Sequence, residues 1–393
     1  MRLIISNRRC LFVATFVLCI WLADTGCIVE AQSSEPDLKF TKALATAFKK
    51  ADAPIKRRII ATLKDVGEPA VSILTDALDD SSEEVRRDAA VVLGDIGKTA
   101  QSAIPHLLEK LADPSETVRQ KSVTAIGKIG DGEEAASRLV PLLSDSSRTI
   151  RKETAKALGR IKIFSPQIAT ALAIGLKDKS KAVRRECERA LARLGPSAIP
   201  HLNMILSSAS DSTAPTLLRA IGNIGPEAIP VLIEALSHSL AGVRYEAADG
   251  LGDLRADTPE AIAALIATLN DPAEGVRMEA VDSLGDAKIK SKDLPEALEI
   301  TLRDPSSDLR KRTVEALGEI QVPSHTVVPL LVEALGDVDE EVREQAADVL
   351  KHLGVSRKIS TPHQVGVGSM WTNHLGKAGH RTHRRSNAAI ALW

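Results

Sequence analysis

In residues 101–130, QSAIPHLLEKLADPSETVRQKSVTAIGKIG, the apolar residues Ile104, Leu107, Leu108 and Leu111 recur at helical spacing and predict an amphipathic helix. Pro105 belongs in its first turn, where a missing amide proton costs little, and the same proline recurs as Pro141, Pro200, Pro230 and Pro329. A second helix is expected to carry Val118, Ser122, Ala125, Ile126 and Ile129 on one face and to end at Gly130. Between the two, Asp113 is placed to cap the second helix, with Pro114 at its first position and Glu116 reaching back as in a capping box. One such hairpin cannot bury its own apolar stripes. It needs a neighbour.

The neighbours are written in the chain. Arg86, Arg119, Arg151, Arg184, Arg244, Arg277, Arg310 and Arg343 follow one another at steps of 33, 32, 33, 60, 33, 33 and 33, each inside a phrase such as VRRDAAVVLGDIG. The long step hides a degenerate copy, LLRAIGNIG from Leu217, and IKRRIIATLKDVG from Ile55 adds an early one. About ten units over residues 37–354 predict an all-α stacked array with one continuous core, the sequence signature of a solenoid. Asp80, Asp145, Asp178, Asp304 and Asp337 share the position of Asp113, six residues ahead of an arginine, and such a column is expected to form a ladder of ion pairs and caps. His238 takes the aspartate's place ahead of Arg244, where the ladder should break.

Composition narrows the core. Aromatic residues make up 2% of the chain, so Ala, Leu, Ile and Val must fill the interior. Arg2, Arg8 and Arg9 lead into an apolar run from Cys10 to Ala23, and Val29-Glu30-Ala31 offers small residues for signal cleavage. Residues 1–31 are therefore expected to be an export signal, giving a periplasmic or secreted protein with no stable membrane span. An uncleaved anchor is the alternative, and faint twin-arginine and lipoprotein features leave the export route open. Cleavage leaves Cys187 as the one cysteine, in a column held elsewhere by Ala89, Ser122 and Ala247, which makes it a small core residue. Residues 355–393 carry six Lys or Arg, no acid and four histidines without apolar period, and are expected to be a disordered basic tail.

The leucine-rich first helix ending in Leu-x-Asp, then Val-Arg, then Ala-Leu-Gly-x-Ile-Gly, resembles the HEAT repeat family, in the short variety named after phycobilisome lyases. The resemblance implies a right-handed superhelix whose second helices line the concave side, with the Asp and Arg columns structural. It says little of function, since this architecture serves many tasks. The HEAT-like deoxyhypusine hydroxylases bind metal through His-Glu dipeptides, and none occurs in this sequence. No phosphate-cradling loop, nucleophile elbow or zincin motif is present, and His106, His201, His238, His325 and His352 fall in different units without zinc-site spacing. The sequence thus implies no catalytic residue, metal ligand or cofactor.

Second-helix core positions fall one before the arginine and three, six, seven and ten after it. The opposite face then comprises positions one, five and eight after, with the ninth nearby, and the eighth is usually glycine. Down the remaining columns, Lys128, Lys152, Lys156, Arg160, Arg185, Arg189, Arg193 and Arg219 form a basic middle, while Asp249, Asp253, Asp282, Asp286, Glu315, Glu319 and Asp348 form an acidic C-terminal half. Without the signal and the tail, 51 − 3 − 6 = 42 basic residues stand against 52 − 2 = 50 acidic ones, a balance that disfavours nucleic acid. The expected function is an exported, non-catalytic scaffold binding a protein partner, a second copy of the chain being one candidate. The competing reading is an enzyme or enzyme subunit resembling the phycobilin lyases.

Overall fold

The computed structural model describes residues 36–130, 132–286 and 294–355, which contain twenty α-helices and no strand. They pair as ten hairpins. The first six join α1 (Pro36–Lys50) to α2 (Ala53–Val66), α3 (Val71–Ala77) to α4 (Glu83–Ile96), α5 (Ile104–Glu109) to α6 (Glu116–Ile129), α7 (Glu133–Leu139) to α8 (Arg148–Ile161), α9 (Pro166–Gly175) to α10 (Lys181–Ala192) and α11 (Ile199–Leu206) to α12 (Ala214–Gly222). The last four join α13 (Ile229–Ala235) to α14 (Ala241–Asp253), α15 (Pro259–Thr268) to α16 (Glu274–Asp286), α17 (Leu294–Glu299) to α18 (Ser307–Glu319) and α19 (Ser324–Ala334) to α20 (Glu340–His352). This is the α-solenoid that the period predicts. The expected signal, residues 1–31, and the tail beyond Val355 lie outside the described residues.

Two compact units divide the chain, one closing at Ile224 and one opening at Gly225. In the first, α4, α6, α8 and α10 lie side by side, and in the second α14, α16, α18 and α20 do the same. Their apolar stripes are buried as the spacing requires: Val118, Ser122, Ala125, Ile126 and Ile129 are all sealed from solvent. Each large aliphatic side chain buried in this way contributes roughly 1.5–3 kcal/mol relative to exposure, and only the adjacent hairpin makes that burial available.

The glycine column has a different role from the exposed one expected of it. A Cβ built on Gly94 would lie 2.8 Å from the Cα of Ala125, and one on Gly127 would lie 2.6 Å from the Cβ of Ala157. Gly159 against Ala190 and Gly252 against Ser283 repeat the arrangement. The eighth position therefore faces the next second helix, and glycine lets the two backbones approach closely.

The aspartate column forms a ladder. Asp113 accepts from Nε and Nη2 of Arg86, one hairpin earlier, at 2.8 and 3.0 Å, and its Oδ1 accepts from the Ser115 amide. Arg86 Nη1 meanwhile donates to the carbonyls of Asp80 and Ser81 in its own hairpin. Arg151 with Asp178, Arg244 with Asp271, Arg277 with Asp304 and Arg310 with Asp337 repeat the rung. No such pair joins Arg119 to Asp145, where the step is one residue short of the usual one. At His238 the substitution removes the carboxylate but not the turn: Nδ1 accepts from the Leu240 amide, and Arg244 still donates to the His238 carbonyl.

Three local expectations are corrected. The cap of α6 is Ser115, whose hydroxyl accepts from the Val118 amide, because Asp113 is engaged with Arg86 and lies two residues too early. Glu116 does not reach back; it accepts from the Ser147 hydroxyl of the next hairpin. Pro141 falls in a 3-10 stretch, Val140–Ser144, that continues α7, and Pro329 sits inside α19, because these two first helices begin upstream of the proline.

Candidate functional site

Removing the glycines from the exposed face leaves positions one, five and nine after the arginine, and these reach solvent. Arg160, Arg185, Arg189 and Arg193 are exposed, and Lys152, Lys156 and Arg219 are half-buried. Several are already neutralised. Lys152 and Lys156 flank Glu153 at 3.5 and 4.0 Å, Arg189 bonds Glu186 at 2.9 Å, and Arg219 bonds Glu188 at 2.7 Å. Arg160, Arg185 and Arg193 have no ion-pair partner among the described residues.

The ninth column shows how the charge order changes. Lys128 crosses Gly94 and meets Asp95 at 2.7 Å, an opposite-charge contact between adjacent helices. Two hairpins on, the stem of Arg193 crosses Gly159, the residue before Arg160, and the geometry that neutralised Lys128 now sets two guanidinium groups on neighbouring helices.

A cationic edge that column reading missed adjoins this face. Arg148, Lys179 and Lys181 are exposed at the beginnings of α8 and α10, and with Arg151 and Arg185 they line an open depression of about 610 Å³. A second depression of about 560 Å³ shares Lys181 and Arg185 and extends to Arg184, Thr216 and Arg219. The signal was present three residues ahead of each arginine, where Glu83 and Glu116 give way to Arg148 and Lys181.

In the second unit Asp249, Asp282 and Glu315 are half-buried, and Asp253, Glu319 and Asp348 are exposed. The side chain of Asp286 lies outside the described ones. Asp282 accepts from Arg312 at 3.3 Å, and Lys311, the exception in this half, pairs with Glu341. Three of the aspartates converge electrostatically. Burial pushes the Glu279 carboxyl above its ordinary range, a bond from the Tyr245 hydroxyl opposes this, and Asp249, Asp282 and Asp253 add to the rise. That bond to Glu279, followed by burial and the nearby carboxylates, pushes the Tyr245 phenol up to about 12.

A carboxyl raised in the folded state contributes stability below its ordinary value, near 4.3, and that contribution is lost as pH rises through the raised one. Glu279→Gln is therefore expected to raise the thermal midpoint at neutral pH, with the advantage vanishing below about pH 4. Parallel melts at pH 4 and 7 check this; equal shifts at both would contradict it.

Cys187 is fully buried, and burial pushes its thiol up to about 12, where it is inert. Among the described residues no cluster of three or more His, Cys, Asp or Glu could hold a metal ion, and no helix is long and apolar enough to cross a membrane.

Comparison with known proteins bears on this arrangement. The profile described as HEAT repeats matches residues 41–115, 104–192, 199–285, 229–300 and 294–361. The chain belongs to the HEAT-repeat family. Among solved structures, this HEAT-repeat chain is similar to the karyopherin Kap121p bound to the extreme C-terminus of the protein phosphatase Cdc14p. The TM-score is 0.55 at 14% identity, covering 88% of this chain and 44% of that one. Kap121p bound to the SUMO protease Ulp1p gives 0.55 and 14%, covering 86% and 43%. The HEAT-repeat chain thus spans under half the length of Kap121p, and the likeness is one of fold. Human deoxyhypusine hydroxylase aligns at a TM-score of 0.30 and 24% identity, over 64% of this chain and 97% of that one. Comparison with curated proteins gives no match.

Proposed function

We propose that this chain is an exported HEAT-repeat scaffold of the short, phycobilisome-lyase-like kind, which holds a partner protein against the exposed face of its second helices and performs no catalysis of its own. The observation that carries this reading is the order of charge along that face. Arg160, Arg185 and Arg193 stand exposed without counter-ions among the described residues of the first unit, while the same face of the second helices in the second unit holds Asp253, Glu319 and Asp348. Unpaired like charges on adjacent helices weaken a stack held by packing alone, and a partner of complementary charge offsets that cost. Kap121p, which shares the fold, is seen bound to the extreme C-terminus of Cdc14p and to Ulp1p, and we extend the binding of other proteins to this chain. The export assignment rests on Arg2, Arg8 and Arg9 ahead of the apolar run and on Val29-Glu30-Ala31.

Partners recovered with the mature chain from the exported fraction, at low and at high salt, test both parts. The complex is expected to weaken as salt rises and to be lost when Arg185, Arg189 and Arg193 are reversed to Glu. An unchanged set of partners in the triple variant would remove this face from the function, and an intact N-terminus on the exported protein would remove signal cleavage.

A further inference from the structure

Where α8 and α10 begin, the repeat loses a carboxylate that it uses elsewhere. The Ser115 hydroxyl donates to Glu83 of the preceding hairpin at 2.6 Å, and the Ser147 hydroxyl donates to Glu116 in the same way. In the next register the glutamate's place is taken by Arg148, which lines the same depression as Ser180. The Ser180 hydroxyl makes no hydrogen bond among the described residues and does not cap its own helix, as the hydroxyls of Ser115 and Ser147 do. Lys179 stands where other hairpins have Ser81, Pro114, Ser146 or Pro272, and Lys181 where they have Glu83, Glu116 or Glu274. None of Arg148, Lys179, Lys181 and Arg185 has an ion-pair partner among the described residues, and all four line the depression of about 610 Å³.

We infer that this cationic depression and its neighbour of about 560 Å³ bind an extended acidic peptide segment of a partner protein, whose carboxylates take the place of the missing glutamate. The inference rests on the reading of the adjoining face as a protein-binding surface and names the chemistry it selects. Periodicity supplies the geometry, because a carboxylate at this register already meets a serine hydroxyl in the two preceding hairpins. The extent suits a chain segment: the two adjoining depressions share Lys181 and Arg185 and together run from Arg148 to Arg219. The lining favours peptide over nucleic acid. It includes no aromatic ring on which a base could stack, and the two carboxylates of the second depression, Asp178 and Glu188, are already paired with Arg151 and Arg219 beside the hydroxyls of Ser212, Thr213 and Thr216.

The test is fluorescence anisotropy of a labelled peptide of alternating Asp and Glu, about a dozen residues long, with the full chain at low salt. Saturable binding is expected, weakened about tenfold or more by Arg148→Glu or Lys181→Glu. Arg148→Glu restores the repeat's own carboxylate opposite Ser180, so an unchanged circular dichroism spectrum is expected beside the lost affinity. Lys98→Glu makes the same change in net charge at an exposed site in another hairpin and is expected to alter affinity by less than about twofold. Wild-type affinity in Arg148→Glu, an equal loss in Lys98→Glu, or displacement of the peptide by an oligothymidylate at lower concentration than by unlabelled peptide would each overturn the inference. If the Arg185, Arg189 and Arg193 reversal loses its partners while Arg148→Glu keeps the peptide, this site falls and the wider face stands. The opposite pattern keeps the site and removes the face.

Discussion

Gly127→Ala is expected to destabilise the first unit by about 2 kcal/mol, although the same substitution in an isolated helix is favourable by up to about 1 kcal/mol. The new methyl would lie 2.6 Å from the Cβ and 2.7 Å from the Cα of Ala157, so α6 and α8 must part. The neighbouring atoms belong to a backbone and a methyl group, neither of which has a rotamer to move into. Overpacking of this kind costs about 1–3 kcal/mol, and here it loosens a whole helix interface. Gly275 supplies the comparison. Nothing lies within 4 Å of a Cβ built there, so Gly275→Ala is expected to stabilise by a few tenths to about 1 kcal/mol. Thermal midpoints moving in opposite directions confirm the pair. Amide exchange should place the Gly127→Ala loss in the hairpins of α6 and α8, since each hairpin in such an array depends on its neighbours. A higher midpoint for Gly127→Ala would show that the helices can separate freely.

These glycines mark how far the sequence could be read. Hydrophobic period locates Val118, Ala125 and Ile129 in the core because burial leaves a hydropathy signature, and the 33-residue return gives ten hairpins without any knowledge of their packing. Gly94 and Gly127 leave no such signature. Rotation by 100° per residue assigns a side to them, but the distance to the neighbouring helix is a tertiary quantity, and the exposed assignment failed for that reason. Charge read by column found Arg185 and Arg193, whose exposure follows from helix geometry. It missed Arg148, Lys179 and Lys181, because they lie at or just before the first residue of their helices, ahead of the arginine from which the columns were counted. Nor could it tell that Lys152 and Lys156 share Glu153 while Arg160 has no ion-pair partner among the described residues, since those pairings depend on side-chain reach.

The Asp and Arg columns were legible as a ladder, and removing one rung tests what the ladder contributes. Arg151→Ala is expected to cost about 3 kcal/mol at neutral pH. Arg151 is 6% exposed, and its guanidinium makes four bonds, to Asp178 at 2.6 and 3.1 Å, to the Asp145 carbonyl at 2.9 Å and to the Ser146 carbonyl at 3.0 Å. Its loss leaves a largely buried carboxylate without its hydrogen-bonded cation, and that poorly compensated charge outweighs the modest net value of the hydrogen bonds themselves. Arg151→Lys keeps the charge without the planar fork and should recover part of the loss. The acid limb separates the electrostatic part from packing. The bond from Arg151, opposed by burial and aided by the Ser180 amide, holds the Asp178 carboxyl below its usual range. A carboxyl depressed in the folded state contributes stability above its ordinary value, near 3.9, which is lost as pH falls through the lower folded one. Wild type should therefore lose stability more steeply than Arg151→Ala below about pH 4, so that the two denaturation midpoints converge in acid. A gap between them that stays constant from pH 7 to about pH 2 would assign the loss to packing rather than to the ion pair.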